Sequence, residues 1–256
     1  MIEPMPQLIP QPLPPLMPQP FVYLASQSPR RAQLLDQLGV KYRLLMADPL
    51  EDSEALEVAL AGEPPVDYVQ RVTQLKLGAA AKRLVQRNKD ASSLEKFPLA
   101  PILCADTTVA LGERIMGKPQ SDLEAAQMLA SLSGRTHKVL TSICMTVPCW
   151  SDLHKFIGDV DSGGGQLGTH TEVGVIPKPY FLSALSISSV QFEALSELQI
   201  QAYIESGEPR GKAGSYAIQG RAASFIKKIE GSYSGIMGLP LFECAQMLRA
   251  LGCFVP

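Results

Sequence analysis

Apolar positions come in two rhythms along this chain, short unbroken runs and longer stretches with helical spacing. The run FVYLA, Phe21 to Ala25, is continuous and reads as a parallel strand buried on both faces. Ser28-Pro29 follows it, a serine N-cap position with proline at the first helical residue, and predicts a helix to about Leu38 that stops at Gly39. Lys41 to Met46 is a second strand, and a long helix from about Val66 to Gln86 puts Val69, Val72 and Leu75 on one face. PILCAD reads as a buried strand ending at Asp106, with TTVALGERIMGKP a hairpin around Gly112. Ser121 with Glu124, and Ser196 with Gln199, have capping-box spacing and open helices that end near Gly134 and Gly207. Lys138 to Val147 and Ser183 to Phe192 are strand-like, and Pro240 opens a last helix ending at Gly252. Strands alternate with helices early and hairpins intrude in the middle, which predicts an α/β protein with a mixed sheet.

Two segments carry neither rhythm. Residues 1–20 hold eight of the chain's 21 prolines and one charge, Glu3, the composition of an extended or disordered tail. A polyproline ligand for a partner protein is the other reading of that tail. Trp150 to Tyr180 contains SGGGQLG and little periodicity, and reads as a flexible hairpin tip or insertion. The expected organisation is therefore a tail, 1–20, and a single domain, 21–256, with an irregular insertion at about 150–180.

Composition narrows the chemistry more than the fold. With 256 residues, 46% hydrophobic and 19% charged, the chain can bury a sizeable core. A formal net charge of -2 gives no global field to recruit a nucleic-acid polymer or an anionic membrane, so any anion site must be local. The five cysteines form no CxxC pair and sit among apolar neighbours, as reduced core thiols do. No apolar run reaches the roughly 18 residues of a membrane span, and the N-terminus lacks a basic region ahead of its prolines. A cytoplasmic protein is expected.

Candidate chemistry begins at ASQSPRR. A buried strand delivers the chain to a helix N-terminus, where free N–H groups and the helix dipole favour an anion. Ser26 and Ser28 add hydroxyls, and Arg30 and Arg31 place cations in the first turn, against the dipole's own preference. That arrangement suits a phosphate chain, although two solvated arginines would look the same. Asp106, ending a strand, is placed to hold a magnesium ion, activate a water or merely cap a turn. Lys76 and Lys118 have no partner at helix spacing and by themselves read as surface lysines. GEPRGKAGSYAIQG, 207–220, fails as a phosphate-binding P-loop because only three residues separate its first two glycines, and Ala213 stands where Ser or Thr belongs. It reads instead as a glycine-hinged turn before a strand carrying Gln219. His137 has the alternating context of a structural histidine, and no HExxH set occurs.

Taken together, LASQSPRR, YVQRVTQLK, CADTTV, GKP, SGRTHKVLTS, YIESGEP, KAGSYAIQG and GSYSGIMGLP, in that order, resemble the Maf family of nucleoside triphosphate pyrophosphatases. The resemblance runs from about Phe21 to the last helix. It implies an α/β fold related to inosine triphosphate pyrophosphatases, a mixed twisted sheet flanked by helices with a central cleft, and a homodimer. It also implies hydrolysis of a nucleoside triphosphate between its α and β phosphates, with a divalent cation, Mg²⁺ or Mn²⁺.

Carried over by position, the resemblance implies that Ser26, Arg30 and Arg31 hold the triphosphate and that Lys76 and Lys118 add charge from the other side. Asp106 matches the family's central acid, as metal ligand or as base for the attacking water. Glu51 matches a second acidic position, which Asp52 could equally fill. Gln219 matches a residue on the base side. One branch of the family, acting on 7-methyl-GTP, has Trp, Gln and Glu where Arg30, Thr107 and Gln219 stand here. A Gln amide both donates and accepts, matching O4 and N3–H of uracil or thymine, so the branch acting on dTTP and UTP is favoured. A regulatory protein of septum formation, acting by binding through the proline-rich tail, is the alternative from another class.

Overall fold

The computed structural model describes residues 19–48, 51, 55–90, 97–98, 100–147 and 180–255. The proline-rich segment up to residue 18, Asp52, Cys149 and the expected insertion all lie outside them. Among the described residues, seven strands form one mixed, open sheet. They are β1 (Val22–Leu24), β2 (Tyr42–Leu44), β3 (Ile102–Leu111), β4 (Arg114–Met116), β5 (Thr136–Val147), β6 (Tyr180–Phe192) and β7 (Ile226–Glu230). The order is β2-β1-β3-β5-β6-β7, with β4 paired to β3 off that path. β1 runs parallel to β2 and β3, and every other pairing is antiparallel.

β1 is buried on both faces, which explains its unbroken apolar run. Val22 and Leu24 pack with Leu34 and Leu35 of α1 (Pro29–Gln37) and Leu248 of α6 (Leu241–Ala250). Tyr23 points the other way, with Ile102 and Cys104, onto Leu77, Ala80, Ala81 and Leu84 of α2 (Pro65–Asp90). A second apolar cluster joins Met128, Leu129 and Leu132 of α3 (Asp122–Leu132) to Phe192 of β6, to Ile200 and Tyr203 of α4 (Glu197–Glu205), and to Tyr216 and Phe225. Cys104, Cys144, Cys244 and Cys253 are free and buried, as the cysteine pattern suggests. Among the described residues no helix is long and apolar enough to cross a membrane.

Several local expectations need correction. Ser28 occupies the N-cap of α1, but its side chain makes no capping bond. Leu75 is only half-buried, and Leu77 takes the inward position on α2. β3 does not end at Asp106 but runs on to Leu111 before turning at Gly112. At α3 the box is not reciprocal: Ser121 accepts the Glu124 N–H, whereas Glu124 reaches back to the N–H of Gln120. The box at α4 is complete. Gln219 stands on a turn, not a strand, and β7 and the short α5 (Tyr233–Met237) follow it unforeseen.

The sheet topology leaves one opening. One edge of β3 pairs with β1 at Ile102 and Leu103, and the same side pairs with β4 from Val109 to Leu111. After Ala25 the chain leaves β1 for the mouth of α1, so among the described residues no strand covers Asp106 to Thr108 on that side. Asp106 therefore lies mid-strand in β3, just beyond the carboxyl end of the parallel strand β1. In an open α/β sheet, ligands collect there.

Candidate active site

A cleft of about 600 Å³ opens at this gap. The turn from β1 into α1 forms one wall, α2 a second, and the segments around Lys118, Gln219 and Gly238 close it. Its lining carries six cations, Arg30, Arg31, Lys76, Arg83, Lys118 and Lys212, against three acids, Glu51, Glu57 and Asp106. The chain as a whole is at -2, so positive charge is concentrated here.

At the mouth of α1, Ser26 Oγ accepts the Ser28 N–H at 3.1 Å and Arg31 Nη1 at 3.0 Å. Arg30 Nε donates to the Met237 carbonyl at 3.3 Å, and Arg31 Nε to that of Gly238 at 2.8 Å. Arg31 Nη2 also approaches Thr107 Oγ1 at 3.4 Å. The direction of the next bonds is fixed by chemistry. Thr141 Oγ1 donates to the Gly235 carbonyl at 2.7 Å, so in the 2.9 Å contact between the two threonines Thr107 is the donor. Thr107 thus keeps lone pairs for Arg31. Gly238, at φ 118°, reaches a backbone region that side-chain-bearing residues avoid, and its missing Cβ would lie 3.5 Å from both Arg31 Nε and Thr107 Oγ1. Burial lowers the pKa of both arginines, with Asp106 opposing the fall at Arg31. A guanidinium nevertheless stays charged in proteins.

Asp106, 6% exposed, holds Lys76 Nζ on Oδ1 at 2.5 Å. Burial pushes its carboxyl pKa up, against the pull of Lys76 and Arg31. Lys76 also binds Glu57 Oε1 at 2.7 Å, and Lys118 binds Glu57 Oε2 at 2.7 Å. Burial opposes ionisation of Glu57 most, but the two lysines outweigh it and hold its pKa below the ordinary value. The result is a connected cluster, Asp106–Lys76–Glu57–Lys118. Neither lysine is a free surface group.

Sequence reasoning missed Glu57. It sits in a single 3-10 turn, Ala55–Glu57, whose spacing gives no helical or strand signal. Its position is set from a distance, by the Tyr68 hydroxyl donating to the Glu57 carbonyl at 2.9 Å and by Arg71 binding both the Val58 carbonyl and the Glu63 carboxylate. Glu51 lines the same cleft, but both its oxygens are taken by Arg83, Nε to Oε1 at 2.8 Å and Nη2 to Oε2 at 2.5 Å. Arg83 is the main cause of the lowered Glu51 pKa. Gln219 is exposed and lines the cleft. The eight side chains singled out in the sequence, Ser26, Arg30, Arg31, Glu51, Lys76, Asp106, Lys118 and Gln219, all line this one cleft.

His137 lies elsewhere, with Nε2 2.8 Å from the Tyr216 hydroxyl and its ring edge-on to Phe192. Burial pushes its pKa down to about 4, as for a neutral core histidine. Among the described residues no cluster of three or more His, Cys, Asp or Glu forms a ready-made metal cage. Two carboxylates sharing one ammonium, beside an anion site, still match how Mg²⁺ binds, through one or two carboxylates plus the ligand's phosphate oxygens.

The model of the family described as Maf-like protein matches residues 21–251. A dTTP/UTP pyrophosphatase of Cupriavidus pinatubonensis is 50% identical over 229 residues, which cover 90% of this chain and 96% of that one. Proteins of the same name from Polaromonas sp. and Albidiferax ferrireducens are 50% and 49% identical, each over 232 residues, 91% of this chain and 96% and 97% of theirs.

Proposed function

Because the chain belongs to the Maf-like protein family, we propose that it is a nucleotide hydrolase that cleaves dTTP and UTP between the α and β phosphates, giving the monophosphate and pyrophosphate. The observation that carries this reading is the cleft itself, where six cations surround a buried acid in the uncovered edge of β3. A polyanionic triphosphate needs such a surround before its phosphorus can be approached by a nucleophile.

Arg30 and Arg31, held by the carbonyls of Met237 and Gly238, grip the phosphate chain at the mouth of α1. Lys76 and Lys118 face it from the opposite wall, and the incoming phosphates compete with Glu57 for both ammonium groups. Asp106 accepts a proton from the attacking water, for which a raised carboxylate pKa is an advantage. The water oxygen bonds to the α-phosphorus, the α–β bridging P–O bond breaks, and pyrophosphate leaves. Asp106 and Glu57 would hold the divalent cation, Mg²⁺ or Mn²⁺, while Glu51 would do so only after leaving Arg83. When bound, the cation neutralises charge on the phosphoryl oxygens. The Gln219 amide reads the O4 and N3–H edge of the pyrimidine. A homodimer working in the cytoplasm completes the reading.

Pyrophosphate release from purified protein tests it directly, with dTTP, UTP, CTP, GTP, ATP and 7-methyl-GTP supplied separately with Mg²⁺. Preferential turnover of dTTP and UTP, abolished by a chelator, is expected. Preference for another nucleotide would overturn the substrate assignment, and no turnover at all would overturn the activity.

A further inference from the structure

Gln219 stands at the tip of a turn, Ala217 to Gly220, closed by the Gly220 N–H on the Ala217 carbonyl at 3.0 Å. The side chain that anchors this turn comes from outside it. Glu208 Oε2 accepts the Arg221 N–H at 3.0 Å, just past one end of the turn. Glu208 Oε1 accepts the Tyr203 hydroxyl at 2.8 Å, and the same phenol oxygen accepts the Ala217 N–H, at the turn's other end, at 3.2 Å. One carboxylate therefore ties down both ends, directly on one side and through Tyr203 on the other. Its own backbone is fixed too, since Lys212 Nζ donates to the Glu208 carbonyl at 2.6 Å.

There is no slack in this arrangement. A Cβ on Gly220 would fall 2.2 Å from Glu208 Oε1 and 2.5 Å from Oε2. Gly220 has φ -101° and ψ -154°, extended backbone open to any residue. The glycine is thus demanded by the carboxylate lying on it, not by its own dihedral angles. An acceptor-only group is also what the site calls for. The Tyr203 O–H and the backbone N–H groups of Arg221 and Ala222 all point at it, whereas an amide would turn a donor toward one of them.

We propose that Glu208 is a positioning residue for substrate selection, holding the 217–220 turn so that the Gln219 amide meets the pyrimidine edge. The inference rests on the reading of Gln219 as the base-side contact. It predicts that Glu208 acts on selectivity through Gln219 and leaves the phosphate chemistry untouched.

Steady-state kinetics with UTP and CTP, which differ at the edge Gln219 would read, test it in Glu208→Gln, Glu208→Ala, Gln219→Ala, Gly220→Ala and the double variants. Glu208→Ala should raise KM for UTP about tenfold and cut the UTP-over-CTP preference by a similar factor, with kcat within about twofold. Glu208→Gln, which keeps an acceptor for Arg221 and the same volume, should fall between it and the unaltered protein. Adding Glu208→Ala to Gln219→Ala should cost no further selectivity. Gly220→Ala should behave like Glu208→Ala, and combining the two should cost nothing extra because the truncated side chain makes room for the methyl. Equal loss of kcat on every nucleotide with a lowered Tm, or selectivity losses that add in the Glu208–Gln219 double variant, would overturn the inference. So would unchanged selectivity in Glu208→Gln and Glu208→Ala while the unaltered protein discriminates. Absence of UTP turnover by the unaltered protein would instead overturn the functional reading, and the inference with it.

Discussion

Replacing Asp106 by Asn removes a charge from the centre of the cleft and almost nothing else. The side chains are isosteric, and Lys76, which loses its partner at 2.5 Å, keeps Glu57 at 2.7 Å. One charge-assisted hydrogen bond, worth about 1.5–3 kcal/mol, is lost, while the cost of burying an ionised carboxylate disappears with it. Net stability should change by about 1 kcal/mol or less, moving Tm by about 2–4 °C at most. Turnover should respond very differently. Loss of a positioned base typically costs about 10²- to 10⁴-fold, or roughly 3–5 kcal/mol of barrier. Binding should not weaken, because six cations would then face two acids instead of three. Pyrophosphate release gives kcat, and calorimetry with UTP in the presence of a chelator gives affinity without metal. In the unaltered protein kcat/KM should fall on the acid side at a pH above the ordinary carboxylate range of about 4, because burial raises the Asp106 pKa and the ionised form is the base. The residual activity of the variant should lack that limb. A variant with kcat within threefold of the unaltered protein would refute the role given to Asp106. So would one that binds UTP far more weakly without metal while its Tm stays unchanged.

The two acids beside Asp106 should separate by phenotype. Glu57→Gln should lower kcat by about tenfold or more, since it removes a carboxylate that would hold the divalent cation, while freeing Lys76 and Lys118 toward the substrate should leave binding intact. Glu51→Gln should mainly destabilise, by about 2 kcal/mol in urea unfolding, because it breaks a bidentate pair with the buried Arg83. The reverse pattern would return the metal-side role to Glu51. Gly238→Ala forces a side chain into φ 118° and should cost about 1–3 kcal/mol of stability, with a raised KM for UTP as Arg31 loses its fixed carbonyl; a neutral outcome in both assays would refute the claimed constraint. His137 is neutral in the fold down to about pH 4 but protonates near 6.5 in the unfolded chain. Its contribution is therefore complete above pH 6.5 and is lost as pH falls through 4, by about 3 kcal/mol in total. His137→Phe should flatten the urea-midpoint profile across that window, and a profile unchanged in slope would count against the buried neutral state.

How much of this was legible in the chain depended on whether the determining contacts are local. Helix ends at Gly39, Gly207 and Gly252 were readable because a positive φ follows from residue type within one turn. The box at Ser196 was readable for the same reason, and the one at Ser121 failed halfway because Glu124 had an equally close N–H one residue earlier, at Gln120. β3 was split at Asp106, between PILCAD and the hairpin stretch that begins at Thr107, because a carboxylate interrupts the apolar run. What keeps that segment extended is pairing with β5 along its whole length, from Ile102↔Thr146 to Ala110↔Lys138, and no local window contains that. The site followed the same rule. Arg30 and Arg31 announced themselves beside a helix start, whereas the partners of Lys76 lie 19 and 30 residues away. Glu57 carries no local signal at all.

Distance along the chain also explains why the cleft can be built from opposing charges without collapsing into mutual neutralisation. Four of the six cations are held by backbone carbonyls. Arg30 and Arg31 hang from the carbonyls of Met237 and Gly238 at the end of α5, Lys212 from those of Glu208 and Arg210, and Arg83 from that of Leu45. Arg83 also pairs with Glu51, Lys76 with both Asp106 and Glu57, and Lys118 with Glu57. The short turn of Glu57 is tethered by Tyr68 and Arg71, not embedded in the sheet. A triphosphate entering the cleft therefore competes with Glu57 for both lysines, while Asp106, which also holds Lys76, is fixed mid-strand. That division puts the adjustable charge on a tethered turn, and Asp106, proposed as the proton acceptor, in the middle of a strand paired with β5.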